Sequence, residues 1–308
     1  MPDHRLSAAQ FHDLYERLRK LGGWDQGEKR GALRHLTPDR IVAAAADVRL
    51  GQTVTMAAPL AGSAADNPEP GARHMKHLPA EESAVAGLSF AEDQLVLNIH
   101  GNADSHIDAL CHVCYRDALY GGTAPGSVTT RGAASLSIDE VRDGIVGRGV
   151  LLDIPRLRGI AWLEPGDFVT AEDLARAAEA QKVTIAPGDV LFVRVGHRSR
   201  RGKLGPWDVA AARAGLHPQA LAYLAEQRIA ALGSDSNSDT APSLVDDVAF
   251  PVHVLAINAL GLHLLDYLQF EDLRDACEKA GRWAFLTTIA PLRLPRATGS
   301  PVNPIATL

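Results

Sequence analysis

The chain has 308 residues, 46% of them apolar and 22% charged, which suits one large soluble domain or two modest ones. A net charge of −6 argues against a general nucleic-acid footprint, and no apolar run reaches the length of a membrane span. Three cysteines, Cys111, Cys114 and Cys277, do not make a disulfide framework, so a cytoplasmic protein is expected.

The N-terminal stretch lacks the apolar core of a signal peptide. It reads instead as an amphipathic helix, with Phe11, Leu14 and Leu18 at helical spacing. In "LTPDRIVAAAADVRLG", Thr37 is placed as an N-cap and Pro38 at the first helical position. "QTVTMAAPL" follows as a strand. Residues 61–82 are polar and rich in Gly and Pro, and read as a long excursion.

Strands and helices then alternate. "GVLLDI" (149–154), "DVLFVRV" (189–195) and "IAALGSD" (229–235) suit buried strands. "TAEDLARAAEAQ" starts with Thr170 and Asp173 spaced like a capping box, although Asp is shorter than the usual Glu. "HPQALAYLAEQ" and "FEDLRDACEKAG" are helices, and "WAFLTTIAPLRL" is a final strand. This order predicts an α/β fold in one domain, 1–308, with an N-terminal helical extension over 1–50. The basic cluster "RVGHRSRRGK" (194–203) reads as a solvated loop; the alternative is that it helps bind an anionic substrate, with His197 in reach.

The chemistry concentrates in "HGNADSHIDALCH", residues 100–112. In an extended segment alternate side chains share a face, so His106 and Asp108 point together and Ile107 turns into packing. His112 returns to the same place if the chain begins to coil. Imidazole and carboxylate groups suit zinc or a similar first-row divalent ion. Asn102 adds an amide oxygen, and Asp104 is a further ligand or a partner for a histidine. A complete site needs distant ligands, for which His253, thirteen residues before Asp266, is the candidate. His263 is read as core. The competing reading of His106 and Asp108 is a hydrogen-bonded pair in a core. Cys111 and Cys114 form a C-x-x-C without a second pair, and read as buried, inert thiols. There is no G-x-S-x-G elbow and no P-loop.

"HGNADSHIDALCHV" resembles the signature of the metal-dependent cyclase family, which includes bacterial kynurenine formamidase and isatin hydrolase. "GWDQGEKRGALRHLTPDRI", "ALGSDSNSD", "FPVHVLAINALGLHLLDYLQFEDL" and "GSPVNPIA" match its longer branch in order, so the resemblance spans nearly the whole chain. It implies a swivelling β/β/α or β-barrel-like core and a homodimer or homotetramer. It also implies a small-molecule substrate whose C–N amide bond, or the bond of a cyclic amide, formamide or lactone, is attacked by water activated by zinc or manganese. Carried over by residue, His106, Asp108 and His253 are metal ligands, and His112 is the general acid/base. Asp266 stands where the formamidases have a ligating glutamate, and Asn102 where they have the first signature histidine. His100, two residues away, compensates in one reading. These departures imply one ion per subunit rather than two. Trp24 is a candidate for closing a neighbour's pocket, and Asp235, at a strand end, for supporting the ligands. Lyase, dehydratase or isomerase chemistry, or ligand binding without turnover, are the alternatives.

Overall fold

The computed structural model describes residues 4–60 and 87–308, together with the backbone of the strand Arg73–Leu78. Most of the excursion at 61–82 therefore lies outside the described residues. Nine strands form the principal sheet: β1 (Thr53–Thr55), β2 (His106–Asp108), β3 (Ile145–Asp153), β4 (Val190–Arg194), β5 (Ala231–Ser234), β6 (His263–Asp266), β7 (Ala284–Ile289), β8 (Gly299–Pro301) and β9 (Ile305–Thr307). Their order is β1-β9-β7-β3-β4-β5-β6-β2-β8, and the sheet curls into a half-barrel. The four central strands β3 to β6 run parallel, and the flanking strands pair antiparallel.

The parallel centre follows from sequence. All five residues of "VLFVR" in β4 and all four of "ALGS" in β5 are buried, as expected where both faces of a parallel sheet are covered. The crossovers carry helices: α3 (Ala171–Ala180) between β3 and β4, and α5 (Ala220–Gln227) between β4 and β5. Helix α3 begins with the capping box expected at Thr170 and Asp173, so the shorter Asp does reach the Thr170 amide, at 2.9 Å. Thr37 and Pro38 start α2 (Pro38–Ala46) as expected. The last helix, α7 (Glu271–Ala280), ends at Gly281 with φ +62°.

The basic run expected as a solvated loop is instead helical: α4 spans His197–Leu204. Buried Asp235 accepts from the amides of Val195, Gly196 and His197 at 2.7, 2.9 and 2.9 Å, which fixes the turn into this helix. Arg198 then folds inward onto the carbonyl oxygens of Ala103, Tyr267 and Leu268, so this cation is consumed by structure.

Helix α1 (Ala8–Leu21) packs its buried face, including Phe11, Leu14 and Leu18, into the same apolar cluster as the sheet. It lies against a segment that runs as α6 (Pro251–His253) and continues as a π-helix over Val254–Leu260. Tyr15 donates to the Asn258 amide oxygen at 2.8 Å, and Asn258 donates in turn to the carbonyls of Val113 and Ala118. Among the described residues no helix is long and apolar enough to cross a membrane. Because Leu18 is fully buried, Leu18→Ala is expected to cost about 3 kcal/mol of stability. Thermal or urea unfolding checks this; an unchanged midpoint would mean that α1 is a detachable arm.

Candidate metal centre

The centre is built at the carboxyl ends of β5 and β6, where open parallel sheets commonly place their sites. Strand β2 lies antiparallel to β6 with Asp266 opposite His106 and Leu265 opposite Ile107. Directly opposed residues share a face, so this register puts His106, Asp108 and Asp266 on one side. Ile107 points the other way and is fully buried. On its other edge β2 pairs with β8, where Gly299 faces Asp108. A Cβ at Gly299 would sit 2.6 Å from the Ile107 carbonyl oxygen and 2.7 Å from the His100 ring, so only glycine lets that ring lie over the strand.

Each ligand candidate has a partner that aims it. His106 Nδ1 lies 2.8 Å from the Asp104 carbonyl oxygen, which leaves its Nε2 as the lone-pair nitrogen facing Asp108. It is thus the Asp104 backbone that orients His106. His253 Nδ1 lies 2.6 Å from Asp239 Oδ2, and Asp239 also accepts from the amides of Val252 and His253. His253 Nε2 is then turned towards Asp108 Oδ2 and Asp266 Oδ2, at 3.5 and 3.4 Å. Asp266 Oδ1 accepts from the Ser238 amide and hydroxyl. His100 bridges Asp108 Oδ1 and the Thr298 hydroxyl, both at 2.9 Å.

The second oxygens of Asp108 and Asp266 are buried and lack a hydrogen-bond donor. Two carboxylate oxygens therefore face the His253 Nε2, and a positive charge, either a proton on that nitrogen or a bound ion, is needed to hold such a set together. Burial opposes charge on Asp108, but the hydrogen bond from His100 and the rings of His253, His112 and His106 hold its carboxyl well below the usual range. Burial pushes Asp266 up. For His253 burial works downward, yet Asp108, Asp239 and Asp266 together raise it well above an ordinary histidine. Among the described residues, two groupings have ligand atoms close enough to share an ion: His106, Asp108 and Asp266, and His100, Asp108 and His112. Asp108 belongs to both. The donor set of imidazole nitrogens and carboxylate oxygens fits zinc or manganese.

His112 stacks on His100, with ring centroids 3.8 Å apart and planes within 7°. Burial is the main cause that pushes it down to about 4; Asp108 works against this, and the neighbouring histidines add to it. These side chains open onto a cavity of about 510 Å³ whose walls also include Asn102, Asn237, Tyr115 and Phe250. Asn102 accepts from the Tyr267 hydroxyl at 3.3 Å. The structure thus gathers His100, Asn102, His106, Asp108, His112 and His253 around one cavity, with Asp266 in contact behind them.

Three sequence candidates lie elsewhere. Trp24 donates to the carbonyls of Asn258 and Ala259 in its own chain. His197 packs against Trp207 and Tyr267, and Asp235 caps the start of α4. His263 is core as expected, held to the Asp108 carbonyl at 2.8 Å. Of the two thiols read as buried, Cys111 is, but Cys114 is exposed and lines the cavity, because the chain turns outward after His112. Of the polar run "SDSNSD" that ends β5, sequence reasoning picked out Asp235 and not Ser238 or Asp239; all three are buried.

A sequence profile for the family described as "Putative cyclase" matches residues 48–241. The chain belongs to the cyclase family. A crystal structure described as that of a novel cyclase superposes with a TM-score of 0.84 at 29% identity, covering 94% of this chain and 99% of the other. Isatin hydrolase A from Labrenzia aggregata, bound to benzyl benzoate, gives a TM-score of 0.60 at 21% identity, covering 88% and 99%. Isatin hydrolase A from Ralstonia solanacearum gives 0.60 at 19%, covering 88% and 97%. A search of curated proteins finds no match. These likenesses agree with the α/β half-barrel of this cyclase-family chain.

Since Asp239 aims the His253 ring, Asp239→Asn is expected to weaken metal affinity by about 10- to 100-fold with the fold retained. Competition with a fluorescent chelator measures this. Unchanged affinity would remove His253 from the ligand set.

Proposed function

We propose that the protein is a metal-dependent hydrolase that cleaves a C–N bond in a small amide, formamide or cyclic amide. The observation that carries the reading is the convergence of the two donor-less carboxylate oxygens, Asp108 Oδ2 and Asp266 Oδ2, on His253 Nε2. His106, Asp108, Asp266 and His253 would hold one divalent ion, zinc or manganese, with Asn102 beside them. Bound there, the ion would supply Lewis acidity and lower the pKa of water from about 15.7 towards about 7. The likeness to isatin hydrolases supports hydrolysis as the reaction type. A homodimer or homotetramer is proposed on the family resemblance alone.

His112 is the proton carrier of this reading. Pushed down to about 4 by burial, it is neutral at pH 7 and accepts the proton of the attacking water. It then returns a proton to the leaving nitrogen. With its pKa lowered to about 4, its imidazolium is a stronger acid and its neutral ring a weaker base than those of an ordinary histidine near 6.5. His100, stacked on the ring and tied to both Asp108 and Thr298, keeps His112 in place. Tyr115 and Phe250 line the cavity, so a flat apolar group has a surface to lie on even though aromatics make up only 5% of the chain.

The test is a panel of cyclic amides, N-formyl amines and lactones run in ¹⁸O-water. One labelled oxygen in the product is expected. Turnover without label would replace hydrolysis by a lyase or isomerase reaction. His112→Ala is expected to lower kcat by about 10²- to 10⁴-fold with metal content unchanged. Metal loss in that variant would make His112 a ligand instead. Because the proton-accepting form is lost only as pH falls through about 4, the acid limb of the rate–pH profile should lie near 4. A limb near 6.5 would show a His112 that burial does not depress.

A further inference from the structure

We infer that Asn237 is the hydrogen-bond donor that grips a carbonyl or carboxylate oxygen of the ligand; this rests on the cavity being the reaction site proposed above. The polar run Ser234–Thr240 at the end of β5 is almost wholly withdrawn from solvent, with exposures of 0 to 3% except at Asn237, which keeps 8% and lines the cavity. Its orientation is set by its neighbour. The Asp239 amide donates to Asn237 Oδ1 at 3.1 Å, so the acceptor end of the side chain is occupied. The backbone donor fixes which end is oxygen, and the NH₂ end is therefore the one offered to the cavity.

That end meets a specific need. The metal-facing wall consists of acceptors: Asp108, and the Nε2 lone pairs of His106 and His253. An ion held there would take one lone pair of an incoming carbonyl or carboxylate oxygen and leave the other without a partner. A neutral amide NH₂ held beside it gives that oxygen a partner without adding a charge to the buried set. The strand end that supplies Asn237 also supplies Ser238 and Asp239, which hold Asp266 and His253. One short loop therefore carries both the ligand's anchor and the supports of the metal ligands, and their spacing is fixed by consecutive backbone.

The experiment titrates the full-length protein, as purified and with its metal content measured, with benzoate and with neutral benzamide by calorimetry. Asn237→Asp keeps the acceptor for the Asp239 amide and removes the donor. The proposal expects unchanged metal content and melting temperature, with binding of both probes weakened about tenfold or more. Benzamide separates the lost donor from the added charge. Equal binding of benzamide by variant and wild type overturns the proposal, as does failure of wild type to bind either probe. Loss of metal from Asn237→Asp also overturns it, since Asn237 would then act only by holding Asp239. A wild type that is metal-free but binds benzamide through Asn237 would sink the hydrolase reading and leave this one standing.

Discussion

The burial of two carboxylates against the His253 imidazole is the constraint around which the rest of the structure is arranged. Ionised groups taken out of water cost several kcal/mol each unless paired. Asp108 and Asp266 are both withdrawn from solvent, and each leaves one oxygen without a donor. The remaining oxygens are provided for: Asp108 Oδ1 by His100, Asp266 Oδ1 by Ser238. The arrangement satisfies half of each carboxylate with protein and reserves the other half for a cation.

The fold supplies what this requires. Register between β2 and β6 sets Asp266 opposite His106, and a slip of one residue would turn both candidate ligands of β2 into the apolar core. The parallel centre of the sheet brings the end of β5 beside the end of β6, so that Ser238 and Asp239 reach Asp266 and His253. Asn258 ties α1, the 113–118 loop and the π-helix together, which links the N-terminal helix to one wall of the cavity.

Local chemistry was legible in the sequence. The His106-Ile107-Asp108 alternation read as a strand because period two is a local property, and β2 has that geometry. The capping box at Thr170 and the helical face of Phe11, Leu14 and Leu18 were legible for the same reason. Asp239 was not, because its role depends on α6 arriving beside the β5 loop, and nothing local to "SDSNSD" announces a neighbour met fourteen residues later. The basic run around His197 misled because charge alone suggests solvent. Three backbone amides on Asp235 and the inward turn of Arg198 outweigh that suggestion, and both are tertiary. His100 was read only as a substitute for the missing histidine at 102, whereas the structure ties it to Asp108, Thr298 and the His112 ring at once.

The most direct test of the account is the metal content of protein purified without chelators, measured by mass spectrometry beside an Asp108→Ala variant. The account predicts about one equivalent of zinc or manganese per chain, lost in the variant, since Asp108 belongs to both candidate groupings. Absence of metal, even after incubation with zinc or manganese, would contradict it: the cation holding Asp108, Asp266 and His253 together would then be a proton on His253.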